Sequence, residues 1–101
     1  MMMDNYERQQ IEDAHDDNVR FFNEAEIIIN DYRRVVNQKT SQLVDYVYSF
    51  YQNLPGGAPR DLSFQFEQEF NEYDSILKMK EEELEEARDE ERRDFNRKMG
   101  W

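Results

Sequence analysis

The sequence predicts an all-α fold: an antiparallel helical hairpin, coiled-coil-like, built from two long helices joined by a Pro/Gly loop. Three observations lead there. The 101-residue chain holds three Gly and two Pro, and four of these stand together as Pro55, Gly56, Gly57 and Pro59, leaving Gly100 near the end. Proline lacks an amide hydrogen and fixes its own φ, and glycine costs a helix interior about 1 kcal/mol relative to alanine, so the cluster reads as one stop and one restart. On either side of it apolar residues recur at helical spacing. A connection this short returns the chain only antiparallel. The expected bounds are a first helix at about 5–53, a loop at 54–60 and a second helix at about 61–98. Together they form a single helical-hairpin domain with a seam in place of an enclosed centre.

In the first helix a column at seven-residue steps reads Phe22, Ile29, Val36, Leu43 and Phe50. Its companion, three residues later, reads Ala25, Tyr32, Lys39 and Tyr46, so the seam is interrupted there by a charge. Upstream, His15 and Ile11 are surrounded by Asp13, Asp16 and Asp17, which predicts weakly anchored first turns. The helix also carries more apolar surface than one seam covers. Ile27, Ile28 and Ile29 are consecutive, as are Phe21 with Phe22 and Val35 with Val36, and at ~100° per residue some must face away. Near the loop Leu43, Val44, Tyr46, Val47, Tyr48, Phe50, Tyr51 and Leu54 are apolar or aromatic round most of the circumference. Their β-branched and aromatic character fits a strand locally, but the column in phase with the upstream stripe favours helix. The residues beside the principal column, Phe21, Ile28, Val35, Val47 and Tyr51, are the candidate partner contacts.

The second helix opens at Asp61, a candidate N-cap, with Glu67 and Glu69 near the positive end of its dipole. Its apolar column runs Phe66, Phe70, Tyr73, Leu77, Lys80, Leu84 and Ala87, strong at the loop and thinner downstream. The hairpin seam therefore uses Phe66, Phe70, Leu77 and Leu84 from this side. From Glu81 the chain is dominated by charge, with Asp89 and Arg93, and Asp94 and Lys98, at the i, i+4 spacing worth about 0.2–0.5 kcal/mol per pair. Phe95, Met99 and Trp101 restore apolar character and either meet His15 and Ile11 or await a partner.

Composition limits the function. The net charge of −11 opposes nucleic acid and anionic lipid surfaces, which need concentrated Lys and Arg. No apolar run approaches the ~18 residues that span a bilayer, so no membrane insertion is expected. With one His and no Cys, most nucleophile, general-base and zinc arrangements lack their parts, and neither an enzyme nor a cofactor is expected. Glu12 and His15 have the E-x-x-H spacing of di-iron bundles, but such a centre needs two elements of that kind and the chain has one. Pro55-Gly56-Gly57 lacks the following Gly-Lys-Ser of a phosphate cradle and reads as a turn.

An acidic, cysteine-free chain of about one hundred residues, with two helices, one Gly-containing hinge and an amphipathic entry at Leu62, Phe66, Phe70 and Tyr73, resembles the small helical-hairpin proteins of type VII secretion systems. These are the WXG-type family and the short non-enzymatic partners encoded beside LXG toxins. Leu54-Pro55-Gly56-Gly57 stands where the WXG family has its Trp-x-Gly turn, and the chain's Trp is Trp101. The family's export signal, an aromatic followed four residues later by an acid, is matched by Phe70 with Asp74 and by Phe22 with Glu26, neither of them in a C-terminal tail. The resemblance implies a cytoplasmic binding protein, itself a candidate for type VII export. It would pair with the helical N-terminal domain of a larger effector, or with a second small helical protein, and assist the effector's secretion. The alternative is a self-assembling structural coiled coil that closes a homodimeric four-helix bundle.

Overall fold

A computed structural model describes residues 3–101 and shows a helical hairpin of α1 (Asn5–Gln52) and α2 (Leu62–Met99), with no strand among the described residues. The first helix has a cap that the sequence reading passed over. The Asp4 carboxylate accepts the Glu7 amide at 2.7 Å, and its carbonyl accepts the Arg8 amide at 3.0 Å. Asp4-Asn5-Tyr6-Glu7 has the spacing in which an N-cap acceptor is followed three residues later by Glu. The first turn expected to be weakly anchored is therefore closed by its own side chain.

At the other end of α1, the Asn53 and Leu54 amides donate to Phe50 and Tyr51 at 3.3 and 3.1 Å, tightening the last turn, while the Asn53 side chain donates to the Ser49 carbonyl. Gly56 and Gly57 then adopt φ of 87° and 68°. Two successive left-handed residues need glycine, because a Cβ there meets the neighbouring carbonyl. The Asp61 carbonyl accepts the Gln65 amide to open α2, but its carboxylate binds the Gln65 side chain at 2.8 Å rather than capping the backbone. At the end of α2, Gly100 has φ of 77°, its amide donates to Arg97, and the Trp101 amide donates to Asn96 at 2.8 Å. This is a Schellman stop. Its usual apolar clasp is present as Trp101 set edge-on against Phe95, 5.5 Å between centroids.

The contacts divide the hairpin into two compact units. A terminal unit comprises Met1–Ile29 with Lys80–Trp101, and a hinge unit comprises Asn30–Met79. In the terminal unit, His15 stacks on Phe95 with centroids 4.0 Å apart and bonds Glu91 through Nδ1 at 3.1 Å. Arg88 reaches across to α1, donating to the Asn23 side chain at 3.1 Å and to Glu26 at 2.8 Å, with a longer contact to the Phe22 carbonyl. Glu26, and after it Glu85, hold the Arg88 guanidinium even more firmly protonated than usual. Of the apolar residues at this end, Phe95 takes the placement beside His15 and Met99 is buried, whereas Trp101 stays 74% exposed. The expected i, i+4 pairs are replaced by i, i+3 pairs, Arg92 with Asp89 and Arg97 with Asp94.

In the hinge unit Leu77 is buried at 6% exposure. It lies with Phe70 and Tyr73 opposite Arg33 and Val36, where the two helices meet. Leu77 and Met99 are the buried apolar residues of the described chain. Two antiparallel rods bury stripes and leave the rest of each circumference in water.

The phase of the seam departs from the seven-residue reading. Phe22 and Ile29 in the terminal unit, and Val36 in the hinge unit, are half-buried. Leu43 and Phe50, placed in the seam by sequence, are 53% and 56% exposed. The half-buried positions of α1 in the hinge unit instead follow Arg33, Val36, Thr40, Val44, Val47 and Tyr51, at steps of 3, 4, 4, 3 and 4, with Tyr48 half-buried beside Val47. The cause is helical pitch. A column seven residues apart drifts by ~20° per heptad on a straight helix, whereas an eleven-residue pattern drifts by a similar angle only over its longer repeat and in the opposite sense. By Leu43 and Phe50, three and four heptads after Phe22, the column has turned out of the interface. On α2, Phe66 and Leu84 are half-buried and Phe70 is exposed at the seam's edge, while Lys80 faces solvent and Glu81 takes the inward place.

Candidate interaction surface

Five large side chains of α1 in the hinge unit, Tyr32, Val35, Leu43, Tyr46 and Phe50, are exposed. With Lys39 they follow steps of 3, 4, 4, 3 and 4, the seam's own rhythm displaced to one side. At 3.6 residues per turn they lie roughly 100° round the helix from the seam positions. On α2 of the same unit Tyr73, Ile76 and Met79 are exposed, at steps of three that carry them away from Leu77 in the same rotational sense. Because the helices are antiparallel, equal-sense rotations about their own axes bring both flanks to the same side of the pair. The hinge unit thus presents one two-helix apolar face.

Its size sets it apart from ordinary surface. Four aromatic rings and four aliphatic side chains, each about half exposed, amount to roughly 700 Å², taking ~200 Å² for a whole aromatic side chain and somewhat less for the others. Monomers typically show a largest patch of about 300–600 Å², and a stable interface covers about 800 Å² per partner. The face is close to one side of a standard interface.

The residues singled out from sequence fall into two groups. Val35 is exposed within this face, and Phe21 and Ile28 are exposed in the terminal unit at 66% and 68%. Val47 and Tyr51 are half-buried seam residues, because the eleven-residue phase turns them inward as it turns Leu43 and Phe50 outward. The other face residues of α1 are seam positions in the seven-residue reading, Leu43 and Phe50 in the principal column and Tyr32 and Tyr46 in its companion. Counting at steps of 3-4-4 recovers all four. The aromatic–acid pair Phe70 and Asp74 lies against Val36 and Leu77 in a small groove, and Asp74 binds Lys78 at 3.0 Å. Phe22 is half-buried and Glu26 is bonded to Arg88.

The terminal unit has a different character. An open groove of about 380 Å³ runs past His15 and Phe95, bordered by Glu7, Gln10, Glu91 and Lys98. His15 is held there by Glu91 through Nδ1 and by the stacked ring of Phe95. No helix of the described residues is long and apolar enough to cross a membrane. No family model, curated protein or solved structure matches the chain.

Proposed function

We propose that this chain is a non-enzymatic helical partner protein. Its hinge-unit face takes helices of a larger protein, by resemblance the helical N-terminal domain of a type VII secreted effector of the LXG kind, and by covering apolar surface on both sides it assists export from the cytoplasm. The observation that carries the reading is the one-sided apolar flank shared by α1 and α2. An enzyme buries its apolar residues to hold a site rigid, whereas here the largest apolar area stands in water beside a narrow seam. Docking a helix there would remove that area from solvent and complete a bundle.

The test is co-expression with a larger effector of the LXG kind that carries such a helical N-terminal domain, comparing wild type with Val35→Asp and Tyr46→Asp. Each change places a carboxylate on the face and leaves the seam alone. Capture should be lost while the helical circular dichroism signal and the unfolding midpoint stay unchanged. Undiminished capture by both variants would refute the assignment of the face.

The same face supports a second reading, a homodimeric four-helix bundle, because an area close to one side of a standard interface suits a second copy as well. Light scattering on the purified chain separates the two. A defined, stable dimer favours self-assembly, and a poorly soluble chain rescued by a larger protein favours the accessory role.

A further inference from the structure

Lys39 is the one charge in the α1 stripe of the hinge unit, set between Val35 and Leu43 with Tyr32, Tyr46 and Phe50 continuing on either side. It forms no ion pair or hydrogen bond among the described residues, although Arg34, Lys78 and other cations of the chain are paired along their own helices. Resting on the docking reading above, we propose that Lys39 selects the occupant of the face. That occupant is an amphipathic helix of a different protein, about five turns long, whose apolar stripe is broken once by a carboxylate that meets the Lys39 ammonium.

The length follows from the stripe, which runs from Tyr32 to Phe50. The carboxylate follows from desolvation. A partner helix that covers the stripe removes water from around Lys39, and an ammonium covered without an opposite charge opposes binding, whereas one met by Asp or Glu forms a charge-assisted hydrogen bond. An apolar stripe with a single charge is thus a register mark, admitting partners with the acid in the right turn and rejecting those with a base there.

A second copy of this chain fits less well. If α1 lies antiparallel on α1, the stripe's midpoint falls beside Lys39 and the two lysines approach each other. If α1 lies antiparallel on the α2 flank with Lys39 at Glu69 or Glu72, Leu43 and Tyr46 fall opposite the stretch that holds the exposed Gln65 and Gln68, and Phe50 runs past the start of α2. Either pairing also joins two bodies of net charge −11.

The experiment uses the full-length protein and designed helical peptides as probes, titrated by fluorescence anisotropy. The peptides carry apolar residues at the 3-4-4-3-4 spacing, with either Glu or Lys at the two central stripe positions. Wild type should bind the Glu peptide at least ~10-fold more tightly than the Lys peptide, Lys39→Glu should reverse the order, and Lys39→Met should bind both alike. If wild type binds both peptides equally, with Tyr46→Asp abolishing binding, the selecting role of Lys39 falls and the docking reading stands. If neither peptide binds, both fall. A defined wild-type dimer in sedimentation, dissolved by Val35→Asp, would assign the face to a second copy and overturn the proposal.

Discussion

Leu77 and Leu43 allow the phase of the seam to be measured with a single chemistry. Both are leucines in the hinge unit and both belong to the seven-residue reading of the seam, yet one is 6% and the other 53% exposed. Leu→Ala in a closed core costs 2–5 kcal/mol, the lost transfer free energy plus that of the cavity left behind. Around Leu77 the seam is open to solvent along its edges, so the cavity contribution is small and the expected cost is about 2–3 kcal/mol. At Leu43 the side chain is already half in water and Ala is at least as good a helix former, so the expected change is within about 0.5 kcal/mol. For a domain of this length, total stability is on the order of 5 kcal/mol, so Leu77→Ala should remove about half of it. Urea unfolding followed by circular dichroism at equal m-values reads the difference as a shift in midpoint. Equal destabilisation by the two substitutions would mean that the heptad column, Leu43 and Phe50 included, is the true interface, and the eleven-residue seam would be refuted.

Gly100→Ala should destabilise the end of α2 by about 1 kcal/mol, because φ of 77° is strained for an L-residue, while D-alanine at the same position should be tolerated. Amide exchange of Trp101 is the local readout. Asp4→Ala should cost about 1 kcal/mol and speed exchange of the Glu7 and Arg8 amides, with Asp4→Ser restoring most of the protection. His15→Ala should free the Phe95 ring, seen as a shift of its aromatic proton resonances when the stacking imidazole 4.0 Å away is removed. An unchanged Phe95 spectrum would mean that the stack is not populated in solution.

The hairpin itself was readable because its signals are local. Pro55, Gly56, Gly57 and Pro59 end one helix wherever the rest of the chain lies, and the loop begins and the second helix resumes within a residue or two of the positions expected. The Asp4 cap is equally legible, since its partner Glu7 stands three residues on, although the acidic residues further along predict weakly anchored first turns. Phase was harder. Phe22, Ile29 and Val36 fit the seven-residue and eleven-residue patterns alike, and only past Val36 do the two diverge, sending Thr40, Val44 and Val47 inward where Leu43 and Phe50 had been expected. Hydrophobicity misled there, because Thr40 is inside and Phe50 outside. The contacts of Arg88 and Glu91 with the other helix carry no sequence signal, since in a run rich in Glu and Arg nothing distinguishes the residue that faces it.

An eleven-residue seam makes the molecule's length a graduated scale. Cutting eleven residues from the hinge half of α1 and eleven from the matching stretch of α2 would shorten the rods by about three turns each and leave every remaining flank pointing as before, to within about 20°. Cutting four or five would swing the downstream side chains by roughly 40° or 140°, whereas seven, like eleven, holds them to within about 20°, so homologous chains of different size should differ by seven, eleven or their sums. A lineage that lengthened or shortened such a rod in other steps would have to rebuild its binding surface from new residues.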